Sequence, residues 1–249
     1  MKVFNHIIAA LFPKTCAVCG AIIGENESLC DYCYEMIERT SVDNRCFKCG
    51  LPKKHCACSK YIFRFSGCTA PFYYSEFSKK AMFIFKFRKR SELSEMFARY
   101  MALSVNETFY GVDFDLIAYV PMDKQSKFKR GYNQSEVLAK ELSKILKLPI
   151  AWNLLSARKK KYSQHTLPNK KRHDNVKDKY YCNHRVDGKT ILLVDDIKTT
   201  GATLDECSLQ LLRSGAERVY CVTGLITVHR KKKKESDLKL REPIKRKDK

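Results

Sequence analysis

The sequence predicts an α/β protein with a mostly parallel sheet, preceded by a small cysteine-rich module that binds zinc. Three observations carry that expectation. Eight cysteines fall in short-spaced pairs before residue 59, apolar runs such as "ILLV" (191–194) lack polar alternation, and strand-like and helix-like stretches alternate from residue 70 onward. Continuous apolar strands belong to sheets covered on both faces, which are parallel in the main.

The cysteines come first in the chain. Cys16 and Cys19, Cys30 and Cys33, and Cys46 and Cys49 form three C-x-x-C pairs, and Cys56 and Cys58 form a C-x-C pair. A C-x-x-C turn presents two thiolates from one tight bend, and two such pairs close a tetrahedral zinc shell. One or two structural Zn²⁺ ions are expected, in a double ribbon over residues 16–60. Spacing leaves the pairing open: Cys16, Cys19, Cys30 and Cys33 could share one metal, or the pairs could interleave, and His55 could replace a sulfur of the C-x-C pair. A disulfide framework would require export, and the opening of the chain does not have the look of a secretory signal. Cys68, Cys182, Cys207 and Cys221 are expected to be isolated structural thiols.

Length and charge bound the rest. The chain has 249 residues, 44% of them hydrophobic, and a net charge of +21, enough for one α/β domain, a smaller module and a sizeable core. Residues 79–90 hold six cations and no acid, 158–179 hold nine against two, and 229–249 hold eleven against four. Three such runs point to an anionic partner. No membrane span is expected, since "VFNHIIAALFP" is about half the ~20 residues a spanning helix needs. A short amphipathic helix over 1–15, ending before Pro13, is expected there, and 229–249 forms a basic tail expected to be disordered.

Between them, 61–228 is expected to form the α/β domain. "APFYYS" suits a strand, "KKAMFIFKFRKRSELSEMFARYMALSV" one or two helices with Phe83, Phe85 and Phe87 in the core, and "FDLIAYVP" a buried strand ending at Pro121. "NQSEVLAKELSKILK" places Val137, Leu138, Leu142, Ile145 and Leu146 at helical spacing behind an N-cap at Asn133 or Ser135. "KTILLVDD", a helix over about 203–214 and "RVYCVTGLITV" complete the domain.

"ILLVDDIKTTGAT" holds the densest chemistry. Ligands of parallel sheets bind beyond the carboxyl ends of the strands, where Asp195 and Asp196 fall. The next turn feeds a helix N-terminus, whose free N–H groups favour an anion, and Thr199, Thr200 and Thr203 add hydroxyl donors. Two carboxylates repel a lone phosphate unless they accept from sugar hydroxyls or face a metal ion. A ribose 5-phosphate meets both demands. A Walker A loop is excluded by the missing Gly-Lys-Ser/Thr, and a receiver-type acidic pocket needs a further Asp and a Lys on later strands, of which only one remains.

At these residues the chain resembles the type I phosphoribosyltransferases, whose signature for 5-phosphoribosyl 1-diphosphate (PRPP) matches "ILLVDDIKTTGAT". With the cysteine-rich N-terminus, "KRGYNQSEVLA", and Arg158, Gln164, Leu167, Arg172 and Asn175, it resembles more specifically the ComF (ComFC) family, associated with competence and DNA uptake. That resemblance implies PRPP binding by Asp195, Asp196, Thr199, Thr200, Gly201, Ala202 and Thr203, with Mg²⁺ accompanying PRPP. By position, Arg130 and Lys129 are the candidates for the diphosphate, with Lys86, Arg158 and Arg172 placed below them. It implies phosphoribosyl transfer to an unidentified acceptor, a cytoplasmic location that could extend to the inner face of the membrane, and partners among a competence helicase or other DNA-uptake proteins. The alternative is a non-catalytic protein that handles single-stranded DNA through zinc ribbons and basic runs on a retained PRPP fold.

Overall fold

A computed structural model of the chain describes residues 13–25, 27–88, 91–158 and 178–228. The helix expected at the N-terminus, the basic tail, and the middle of the 158–179 run with Gln164, Leu167, Arg172 and Asn175 lie outside the described residues. Within them, the order is α1 (Asp31–Glu35), a 3-10 turn (Lys53–His55), β1 (Gly67–Thr69), β2 (Phe72–Tyr73), α2 (Glu76–Arg88) and α3 (Ser91–Thr108). Then come β3 (Leu116–Tyr119), α4 (Lys124–Arg130), α5 (Gln134–Leu146), β4 (Leu155–Ala157), β5 (Tyr180–Cys182), β6 (Thr190–Lys198), α6 (Ala202–Arg213) and β7 (Arg218–Ile226). Among the described residues, no helix is long and apolar enough to cross a membrane.

Five of these strands form one parallel sheet. β7 pairs with β6, β6 pairs with β3, and the two short strands β1 and β2 follow one another along the outer edge of β7. Residues 190–194 and 219–226 are buried throughout, as expected for strands covered on both faces. The antiparallel pair β4–β5 stands apart; its three-residue strands are too short to show a period.

Each face of the sheet has its own core. On one, Leu192, Val194, Tyr220 and Val222 pack with Met82 and Phe85 of α2, Phe97 and Met101 of α3, and Leu138 and Leu142 of α5. On the other, Ile191, Leu193, Val219 and Cys221 pack with Leu204, Cys207 and Leu211 of α6. The cysteine-rich segment joins both. Cys16, Val18, Leu29 and Cys33 belong to the first core, whereas Cys49, Leu51, Phe63 and Phe65 belong to the second. Arg45 fastens the segment from within, its guanidinium donating to the Thr69 hydroxyl at 2.5 Å, to Ser104 at 3.1 Å and to the Ala70 carbonyl at 3.2 Å.

One local expectation is settled within its stated range and one changes. The basic stretch after residue 76 is two helices, α2 and α3, and only Phe85 of the three phenylalanines enters the core. Phe83 and Phe87 are 54% and 51% exposed, and their rings meet at 4.7 Å on the outer face of α2. Spacing alone missed this because the narrow inward stripe of α2 is already filled by Ala81, Met82, Ile84 and Phe85. α5 behaves as expected: Asn133 caps it by accepting from the Ser135 N–H, and Leu138 and Leu142 are fully buried. Cys68, Cys207 and Cys221 are buried thiols, and Cys182 is half-buried.

Candidate functional site

The cysteines gather into two clusters, each drawn from consecutive pairs. The sulfurs of Cys16, Cys19, Cys30 and Cys33 lie within 4.8 Å of one another, as do those of Cys46, Cys49, Cys56 and Cys58. The pairs therefore do not interleave, and His55 is not among the ligands. Sulfurs 3.5 Å apart between Cys19 and Cys30, and 3.8 Å apart in the Cys46–Cys58 and Cys49–Cys56 pairs, match the edge of about 3.8 Å in a tetrahedron built on Zn–S bonds of ~2.3 Å. Burial and the neighbouring sulfurs push the Cys33 and Cys58 thiols well up. Four thiolates in so small a space need a cation, and structural zinc fits both clusters.

The second site lies at the end of β6. Asp195 and Asp196 are expected at the strand terminus; β6 runs on two residues to Lys198, but its partner β3 stops at the Tyr119–Val194 pair. The acids thus emerge where the neighbouring strand has ended. Asp195 accepts from the Ser135 hydroxyl at 2.8 Å and from the Asp196 N–H at 2.9 Å. Asp196 pairs with the Lys86 ammonium at 2.5 Å, both side chains being largely buried. Burial, and then the charge of Asp196, push the Asp195 carboxyl up to about 7. Burial and a neighbouring charge thus make the charged form of Asp195 costly, so that a hydroxyl donor or cation arriving at this carboxyl would stabilise it.

The following loop leads directly into the N-terminus of α6. Gly201, at φ +89°, occupies the N-cap of α6 and brings no side chain to cap the first-turn N–H groups. Its lack of a Cβ is required twice, by the left-handed backbone and by Lys198 Cε and Phe63 Cε1, which lie 3.1 Å from where a Cβ would stand. Thr200 Oγ1 accepts from the Ala202 N–H at 3.3 Å. Thr199 is exposed, and Thr200 and Thr203 are half-buried, which leaves three hydroxyls around the turn.

Of the cations placed lower from the sequence, Lys86 reaches the acid pair and Arg158 lies over the Tyr181 ring at 5.6 Å. Arg130 ends α4, stands 5.5 Å over the Phe87 ring, and donates to Gln134 Oε1 at 3.4 Å. Gln134 in turn donates to the Lys86 carbonyl at 3.4 Å, so Arg130 is linked through Gln134 to the segment that leads to Asp196. Lys129 is exposed. Sequence reasoning missed Ser135 as a partner of Asp195, having treated it only as a cap. It also missed Lys198, which is 2% exposed with its ammonium 5.5 Å over the Phe63 ring, and Tyr180, whose phenol is held well above its usual range by burial.

A phosphate-sized loop beside two carboxylates suits a ligand with an anion at one end and neutral hydroxyls next to it. Family models agree with both halves of the molecule: a double zinc ribbon domain matches residues 7–62, and a phosphoribosyl transferase domain matches residues 133–247. The chain is 31% identical over 142 residues to the DNA utilization protein YhgH of Escherichia coli K12, covering 55% of this chain and 63% of that one. Competence protein F of Haemophilus influenzae is 32% identical over 57% of this chain and 64% of that one, and competence protein ComFC of Bacillus subtilis 29% identical over 57% and 56%. The matched region thus spans under two thirds of the length of these relatives. A hypoxanthine-guanine phosphoribosyltransferase from Bacillus anthracis superposes with a TM-score of 0.39 at 18% identity, over 58% of this chain and 75% of that one. Two four-cysteine clusters, a parallel sheet ending in an acid pair and a threonine-rich loop, and the sequence relatives lead to one conclusion: the chain belongs to the ComF family, in which a zinc ribbon precedes a type I phosphoribosyltransferase fold.

Proposed function

We propose that the chain binds PRPP at the end of β6 and acts in competence and DNA uptake. Asp195 and Asp196 take the ribose hydroxyls, and residues 199–203 take the 5-phosphate. The observation that carries the reading is the N-terminus of α6 behind Gly201, with its three threonines, beside a largely buried carboxylate pair. A bare phosphate would meet repulsion from the acids, and a neutral sugar would leave the loop unfilled; a sugar phosphate answers both. The names of the relatives, which refer to DNA utilization and competence, support the biological setting.

Transfer follows from the same placement: the bond from C1 to the diphosphate breaks, an acceptor bonds to C1, and diphosphate leaves with the electron pair. Such chemistry rests on positioning and charge stabilisation. Ser135 fixes Asp195 toward the ribose, Lys86 leaves Asp196 as hydroxyls arrive, and Arg130 and Lys129 are the candidates to meet the diphosphate. Magnesium accompanying the diphosphate would supply further neutralisation of the leaving charge beside Arg130 and Lys129. Calorimetry with PRPP, with and without Mg²⁺, tests the reading. Magnesium-dependent binding that disappears in the Asp195→Asn, Asp196→Asn double variant is expected; wild-type binding that survives in the variant refutes the assigned pocket.

One observation favours a second, compatible reading, single-stranded DNA binding. Lys79, Lys80, Phe83 and Phe87 are exposed on α2 next to Arg130, a combination of cations and ring faces on which bases stack. Phe83→Ala, Phe87→Ala should weaken oligonucleotide binding at all salt concentrations by about 1–3 kcal/mol per base stacked. Lys79→Ala, Lys80→Ala should instead flatten the log–log salt slope by about 0.7 for each phosphate left without its cation. Unchanged affinity in both variants would remove this face from consideration.

A further inference from the structure

We infer that the second cysteine cluster, and not the first, governs the shape of the anion loop. The inference rests on the PRPP reading for the identity of the ligand, but the coupling itself is a property of the fold. Metal held by Cys46, Cys49, Cys56 and Cys58 fixes Phe63 and Arg64, and those two positioning residues hold the stretch from Lys198 to Asp205.

The path is short. Phe63 follows Cys58 by only five positions, and the chain leaves the cluster through a turn in which the Lys60 and Tyr61 N–H groups both donate to the Ala57 carbonyl at 3.0 Å. Between Asn44 and Ser66 the only regular element is the 3-10 turn at Lys53–His55. A segment with so little secondary structure takes its order from its metal. Phe63 then stacks on Phe65 at 4.8 Å, lies under the Lys198 ammonium at 5.5 Å, and backs directly onto Gly201. Arg64 grips the first turn of α6 twice: its N–H donates to Asp205 Oδ1 at 2.6 Å, and its guanidinium meets Oδ2 at 2.5 Å. The Asp205 N–H closes the loop by donating to the Gly201 carbonyl at 2.9 Å.

The guanidinium of Arg64 is 48% exposed, so its ion pair is screened. The backbone bond and the packing of Phe63 carry more of the coupling. Among the described residues, the first cluster shows no such path. Its residues pack in the other core with α3, where Ser28 donates to the Glu92 carbonyl at 3.0 Å. That cluster therefore serves as an internal control for loss of zinc as such.

Three full-length variants test the inference: Cys16→Ser, Cys19→Ser; Cys56→Ser, Cys58→Ser; and Phe63→Ala, Arg64→Ala. Each is measured for zinc content by native mass spectrometry, for amide hydrogen exchange over 199–205, and for magnesium-PRPP affinity by calorimetry. Loss of the second metal, and the Phe63/Arg64 change with both metals in place, should each speed exchange in 199–205 and weaken magnesium-PRPP binding by roughly tenfold, a coupling of ordinary size. Loss of the first metal should do neither. By linkage, magnesium-PRPP should raise the zinc affinity of the second site by the same factor.

Unchanged exchange at 199–205 without the second metal overturns the inference, as does equal loosening on losing the first. Should the Cys56→Ser, Cys58→Ser chain fail to fold, the Phe63→Ala, Arg64→Ala variant decides, and unchanged exchange there overturns it too. A wild type that takes no PRPP sinks the ligand assignment alone, because exchange reads the coupling without ligand.

Discussion

The two cysteine clusters use the same ligand chemistry, but the Cys-Gly step that ends the leading C-x-x-C turn sits in different surroundings in each. In the first, Cys19 is exposed, and Gly20, at φ +83°, has nothing within 4 Å of where a Cβ would lie. In the second, Cys49 is fully buried, and Gly50, at φ +72°, would set a Cβ 2.7 Å from the Cys68 carbonyl. One C-x-x-C-Gly turn stands at the rim; its counterpart is pressed against β1. The contrast shows that a motif fixes the metal, while the element behind it decides what the metal controls.

Removing one ligand from each cluster puts the greatest strain on this contrast. Cys49→Ser should cost several kcal/mol and lower Tm at least twice as far as Cys19→Ser. The first change opens the core shared with α6, whereas the second weakens a rim site. Equal losses of Tm, with zinc content checked for each protein, would show that the burial of Cys49 adds nothing.

The glycines probe the same difference more gently, without touching a ligand. Gly20→Ala should cost about 1 kcal/mol, the penalty for a left-handed backbone at a non-glycine residue. Gly50→Ala adds overpacking against Cys68 of ~1–3 kcal/mol to the same penalty. Chemical denaturation of the two variants at constant zinc gives the difference directly; matching midpoints would contradict the close approach.

Weaker still is the effect of pH, which sets the clusters against the acid pair. Zinc thiolates protonate as pH falls, so the clusters lose stability toward acid. Asp195 has the opposite sign. Its carboxyl titrates near 7 in the folded chain against about 3.9 when unfolded, so the folded state binds the extra proton. Stability from this group is greatest below pH ~4 and falls as pH rises through 7. Asp195→Asn should therefore raise Tm at pH 8 and change it little at pH 4. An equal shift at both values, read by differential scanning calorimetry, would mean that Asp195 is not the group titrating.

Much of this was legible along the chain and some was not, for reasons of distance. "VDDIKTTGAT" is contiguous, so its acids, glycine and threonines could be placed on one strand end before any packing was known. Ser135 and Lys86 reach the acids from α5 and α2, roughly 60 and 110 positions away, and no spacing rule spans that gap. Eight cysteines announced zinc, but only the fold shows that consecutive pairs share a metal and that the two clusters serve opposite faces of the sheet. Helical spacing grouped Phe83 and Phe87 with Phe85, since periodicity cannot tell how wide a buried stripe will be. α4, seven residues and entirely without buried side chains, carries no hydrophobic period at all.

Everything proposed for the site depends on the loop after β6 holding the 5-phosphate of PRPP, and ³¹P NMR reads that at the level of single phosphorus atoms. With Mg²⁺ present, the 5-phosphate resonance should broaden and shift on adding protein, to a different extent from the diphosphate resonances, and Gly201→Ala should abolish the 5-phosphate effect. If all the resonances broaden together and Gly201→Ala changes nothing, the anion is held by the general charge of +21 and the assigned loop is not its site.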